Sequence, residues 1–160
     1  MASPIAKVSM LIRCPPAKVF EAFVSPEFLT KFWLSRASGP LEPGKTVTWD
    51  FMVPGASAKT YVEEMLRDRL IRISWDDGTT VSFAFEPYSD GGTRIEVVNG
   101  GFSGNVEEVM EAALEATQGF TIVLCDLKVT LEHGRSMGFV RDKALLIEAK
   151  QSADRSRFQE

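Results

Sequence analysis

The sequence predicts an α+β domain in which a curved antiparallel sheet wraps around one long C-terminal helix. Three observations predict it. Apolar and polar residues alternate with period two in successive segments between Val47 and Val97, separated only by turn residues. From Asn105 to Glu132 the apolar period changes to three and four. Two helix-start signals lie between the first strand and the later ones. At 160 residues the chain fits one domain. A chain of this size buries roughly 70% of its unfolded surface, enough for a core without metals or disulfides.

The first strand runs from Ile5 to Arg13, with Val8, Met10 and Ile12 on one face. Pro15 and Pro16 end it and open a helix, because the first helical N–H has no partner to lose. Ala17, Val19, Phe20 and Phe23 follow at helical spacing. Ser25-Pro26 repeats the start signal for a second short helix, Pro26 to Trp33. Strands follow: Thr46–Phe51, ended by Pro54-Gly55; Thr60–Arg67; and Leu70–Asp76 after an Asp68-Arg69 turn. Asp77-Gly78 predicts a primed hairpin turn, Val81, Phe83 and Phe85 continue the alternation, and Asp90-Gly91-Gly92 leads into Ile95 and Val97.

The helical segment carries Val106, Val109, Met110, Ala113, Phe120, Leu124 and Leu127 on its apolar face. Asn105 and Glu108 predict a capping-box variant at its start, and Gly134 supplies the left-handed stop. It would run about 42 Å at 1.5 Å per residue, enough to cross a sheet. Gly119 lies inside it at a cost of about 1 kcal/mol relative to Ala, which close backbone packing or a kink would explain. Residues 1–134 are therefore expected to form the domain. Residues 135–160 form an extension, with a short helix over Val140–Lys150 and a frayed end from Gln151.

A net charge of −4 and the lack of a basic block argue against nucleic acid. No apolar run reaches the roughly 20 residues of a membrane span. Residues 1–12 do not read as a signal peptide, so the expected location is cytoplasmic. Cys14 and Cys125 lack metal-ligand spacing and read as buried hydrophobes; no metal or cofactor is expected. The single histidine, His133, suits the negative end of the helix dipole better than a catalytic base. Gly100, Gly101 and Gly104 lack the Lys-Ser/Thr of a phosphate loop and read as a strand-to-helix turn. Glu63, Glu64 and Glu96 lie in strands, where a solvated face is the stronger expectation than a buried acid or base.

The stretch from Cys14 to Trp33, CPPAKVFEAFVSPEFLTKFW, resembles the opening of the START/Bet v 1-like helix-grip superfamily. The nearest likeness is to its family named for the activator of heat-shock-protein-90 ATPase. Asn99-Gly-Gly-Phe102 is similar to that family's His-Thr-Gly-Phe, with Asn99 where His is usual. Gly119-Phe120 with Leu124, Leu127, Leu131-Glu132 and Gly134 is similar to its Gly-Trp…Leu…Leu…Leu-Glu-X-Gly helix, with Phe120 for Trp. The likeness spans Ile5 to Gly134 and is specific for fold; it says little about activity.

On the strand reading, Trp33, Trp49, Phe51, Trp75, Phe83 and Phe85 converge on the sheet face that meets Phe120, Leu124 and Leu127. This set either fills a core or, as the resemblance implies, lines a cavity for a ligand. Tyr61, Glu64 and Arg72 are the candidate polar groups for such a site. No catalytic residue is assigned. The reading favoured is binding of a small apolar or aromatic molecule. The alternatives are a chaperone-interacting stress protein and a polyketide cyclase or dehydratase, in which orientation would do most of the work. The extension could pack on the sheet edge or on a second copy, giving a homodimer.

Overall fold

A computed structural model describes residues 2–158. Among them, seven strands form one antiparallel sheet: β1 (Ala6–Ile12), β2 (Leu34–Ala37), β3 (Thr46–Phe51), β4 (Ser57–Leu66), β5 (Leu70–Trp75), β6 (Thr80–Tyr88) and β7 (Gly92–Gly100). Their spatial order is β1-β7-β6-β5-β4-β3-β2. Chain order and spatial order agree from β2 to β7, so the meander is real, and β1 adds to its far edge by pairing Ala6 with Asn99 and Ile12 with Thr93. The helices are α1 (Pro16–Val24), α2 (Pro26–Phe32), α3 (Val106–His133) and α4 (Phe139–Arg157).

Local chemistry explains most boundaries. Proline occupies the first turn of both α1 and α2. At α3, Asn105 Oδ1 accepts from the Glu108 backbone N–H at 2.9 Å, and Asn105 Nδ2 donates to Glu108 Oε1 at 2.7 Å. The first satisfies an orphan backbone N–H of the helix, as in a capping box, while the reciprocal contact runs from side chain to side chain instead of to the Asn105 N–H. Gly134 (φ 80°) ends the helix with its N–H on the Thr130 carbonyl. The β5–β6 turn differs from the expected primed form. Only Gly78 has positive φ, and Asp77 Oδ1 instead accepts from the Thr79 N–H and hydroxyl, at 2.9 and 2.6 Å. An Asx-type contact does the work that a second left-handed residue would have done.

The inner sheet face follows the predicted alternation: Trp49, Val62, Ile71, Ile73, Val81 and Phe83 are all buried there. α1 and α2 close one end, with Phe23 packed on Phe83 at a 4.7 Å centroid distance and edge-on to Phe32. The C-terminal half of α3 lies in the curve against β1, burying Phe120, Val123, Leu124, Leu127 and Leu131. Its N-terminal turns do not. Val106 and Met110 were expected on the buried face, yet they are 80% and 47% exposed.

The second difference is α4. The expected Val140–Lys150 helix runs from Phe139 to Arg157, so most of the supposed frayed tail is helical; Gln159 and Glu160 lie outside the described residues. α4 packs back along α3. Its start is held by Asp126, a fully buried carboxylate on α3. Asp126 accepts from Ser136 Oγ at 2.7 Å, from the Val140 N–H at 3.3 Å and from Thr130 Oγ1 at 3.4 Å. An anion at the positive end of a helix is favourable, and these donors satisfy a charge that would otherwise be costly to bury.

Candidate functional site

The sheet, α3 and α4 do not close on one another. Between them lies a cavity of about 560 Å³, open on one side and walled mainly by apolar side chains. Trp33, Phe51 and Trp75 form its sheet-side wall, with Met52 and Val53 from the turn after β3. Phe120, Gly119 and Val123 of α3 face them, and Val140, Ala144 and Ile147 of α4 complete the enclosure. The aromatic rings touch in a chain: Trp33 to Phe120 at 5.7 Å, Phe51 to Trp75 at 5.8 Å, and Trp75 parallel to Phe120 within 5° at 6.4 Å.

Polar groups are few. Asn99 and Thr79 are buried at the sheet end, where Asn99 Nδ2 donates to the Thr80 carbonyl at 2.9 Å. Trp75 Nε1 is anchored on Thr60 Oγ1 at 3.1 Å. Asp77 and Glu115 lie at the exposed margin, and Lys143 projects from α4. No group of three or more His, Cys, Asp or Glu residues that could hold a metal occurs among the described residues.

The ten residues expected at a site divide three ways. Trp33, Phe51, Trp75 and Phe120 line the cavity together. Trp49, Phe83 and Leu124 are fully buried behind it, in packed core. The expectation of either a filled core or a cavity was too simple, since one aromatic cluster provides both. Trp49 leaves its indole N–H without a partner in that core.

Tyr61, Glu64 and Arg72 are elsewhere altogether, on the convex face of the sheet. Tyr61 alternates with buried Thr60 and Val62 and so points outward. Arg72 Nη1 donates to Glu64 Oε2 at 2.7 Å, with both side chains solvated. Arg72 points outward by the same alternation, between buried Ile71 and Ile73, and a register shift between Val62 and Glu64 explains Glu64: the irregularity at Glu63 puts Glu64 opposite Arg72 and turns Met65 inward opposite Ile71. Glu63 binds Ser74 and Glu96 binds Arg94 on the same outer face, so none of the three strand carboxylates points into the cavity.

Two contributors were missed. α4 supplies a whole wall, and only its apolar spacing at Val140, Ala144 and Ile147 could have signalled that. Gly119 was credited to close backbone packing or a kink, but a Cβ built there meets nothing within 4 Å and α3 runs through it as one helix. It borders open cavity, so its missing side chain is part of the cavity's volume.

This geometry defines a helix-grip domain of the START/Bet v 1-like class, with an open apolar cavity between grip and helix. The chain belongs to the family described as activator of Hsp90 ATPase homolog 1-like protein, whose model matches residues 13–132. Protein SSP2350 from Staphylococcus saprophyticus is 30% identical, over 83% of this chain and 95% of that one, with a TM-score of 0.72. The Aha1 dimer from Colwellia psychrerythraea has the same fold at 19% identity, covering 82% of this chain and 97% of that one (TM-score 0.69). So does DynU16, a protein of the dynemicin biosynthetic locus, at 18% identity over 84% of this chain and 49% of that one (TM-score 0.69). Comparison with curated proteins finds no match. No helix among the described residues is long and apolar enough to cross a membrane.

Proposed function

We propose that the protein binds a small apolar or aromatic molecule in the cavity between β3, β5, α3 and α4. The observation that carries this is the aromatic wall of Trp33, Phe51, Trp75 and Phe120 around about 560 Å³ of open space. A folded chain normally closes such space, because unfilled apolar surface forfeits packing contacts. Pockets for small ligands have this size and lining. The two cysteines are unpaired, which suits the cytoplasm as compartment. Native mass spectrometry of protein purified from its own host tests the reading. A retained small molecule, lost on denaturation, is expected; an apo mass together with failure to bind N-phenyl-1-naphthylamine would remove it.

A second reading, contact with a chaperone, is favoured by the family description alone. Stoichiometric protein that leaves the Hsp90 ATPase rate unchanged would end it. Self-association is proposed by likeness to the Colwellia dimer, and sedimentation checks it. A cyclase or dehydratase reading has less support. The cavity wall carries Asp77, Glu115 and Lys143 but no Ser, Cys or His to form a nucleophile–base pair.

A further inference from the structure

Lys143 is the one cationic side chain on the cavity wall. It sits in the second turn of α4, on the same face as Val140, Ala144 and Ile147, and is partly buried there. Among the described residues it makes no hydrogen bond and has no carboxylate within 4 Å. The ion pairs among the described residues lie elsewhere, on Glu42, Glu64, Glu86, Glu96 and Glu132.

The two acids on the same wall do not compete well for a ligand. Asp77 is committed through Oδ1 to both donors of Thr79, and Glu115 is exposed. Lys143 is therefore the only cation on the wall, its side chain is partly buried, and it has no ion-pair partner among the described residues. An anion entering the cavity would find this unpaired ammonium beside an apolar wall and could take a charge-assisted hydrogen bond from it. The alternative is that the lysine stem merely covers apolar surface while its ammonium reaches water.

We propose that the cavity selects an amphipathic anion: an apolar, aromatic-sized body against Trp33, Trp75 and Phe120, with its carboxylate or other anionic group on Lys143. This rests on the cavity being a binding site and adds the class of ligand. It also assigns the choice to α4, which lies beyond residues 13–132 matched by the family. The shared domain supplies the aromatic side of the slot, and the C-terminal helix supplies an apolar wall and the charge.

Two fluorescent probes with the same aromatic body separate the ideas: 8-anilinonaphthalene-1-sulfonate, which is anionic, and N-phenyl-1-naphthylamine, which lacks the sulfonate. Each is titrated into the intact protein and into Lys143→Met, Lys143→Arg and Gly119→Leu. The expected result is that Lys143→Met weakens the anionic probe about tenfold, the effect of one charge-assisted hydrogen bond, and leaves the neutral probe within about twofold. Lys143→Arg keeps the anionic probe, and Gly119→Leu weakens both. Retained binding of the neutral probe shows that Lys143→Met is folded. If Lys143→Met shifts both probes equally, or neither, the anion assignment is overturned while the cavity reading stands. If the native protein binds neither probe, or if Gly119→Leu leaves both unchanged, the cavity reading itself falls and this inference with it.

Discussion

Gly119 sets stability against cavity volume, and the two can be measured separately. A glycine inside a helix costs about 1 kcal/mol relative to alanine, through the extra freedom of the unfolded backbone. Gly119 lies in the middle of α3, has no left-handed φ that would forbid a side chain, and a Cβ there has no neighbour within 4 Å. Alanine should therefore add its full helical advantage without a clash, about 0.5–1 kcal/mol. For a domain of this size that raises Tm by roughly 1–4 °C. Leucine, nearly as good a helix former, would extend from the cavity wall into the open space there and reduce its volume. The assay is a thermal or urea melt of the native, Gly119→Ala and Gly119→Leu proteins, paired with titration of N-phenyl-1-naphthylamine. Expected are two variants at least as stable as the native protein, with binding weakened tenfold or more in the leucine variant. Destabilisation by alanine would refute the argument, because it would mean that the backbone, not the cavity, requires glycine at 119.

Asp126→Ala should free the start of α4, lowering stability by about 1–3 kcal/mol as three donors lose their acceptor. Amide exchange across residues 139–150 would report it, and unchanged exchange there would show that α4 is held by packing alone. Trp49→Phe removes a buried N–H that has no partner, which offsets part of the lost volume. Its cost in a denaturant melt should stay within about 1.5 kcal/mol, below that of ordinary large-to-small core changes. Arg72→Ala, on the solvated convex face, should cost under about 1 kcal/mol and leave probe binding untouched. A large loss of binding there would return Arg72 to the site.

The fold was legible because its signals are local and repeated. Alternation in β3, β5 and β6 names the inner face, proline opens α1 and α2, and Asn105 and Gly134 bracket α3 within a residue of where the pattern places it. Misreadings arise where non-local geometry decides. β2 has only four residues and no period of its own; it exists because Leu34–Ala37 can pair with Trp49–Phe51. The shift at Glu63 changes no residue type, yet it moves Glu64 to the outside and Met65 to the inside. One extra residue was enough to misassign a polar candidate.

The cavity was half legible for a different reason. A sequence names the residues that are present, so Trp33, Phe51, Trp75 and Phe120 could be proposed as a wall. A cavity also depends on what is absent and on what arrives from far along the chain. Its space depends on Gly119 having no side chain, and its last wall depends on α4 folding back from residue 139. That return is fixed by Asp126, a carboxylate in the middle of α3's buried face, where the apolar pattern would count it as a defect. Its meaning appears only when Ser136 and the Val140 N–H come to meet it. The same carboxylate therefore fixes where α4 begins and helps enclose the site, and loosening it should open the cavity before it unfolds the sheet, since α3 is the element on which α4 chiefly packs.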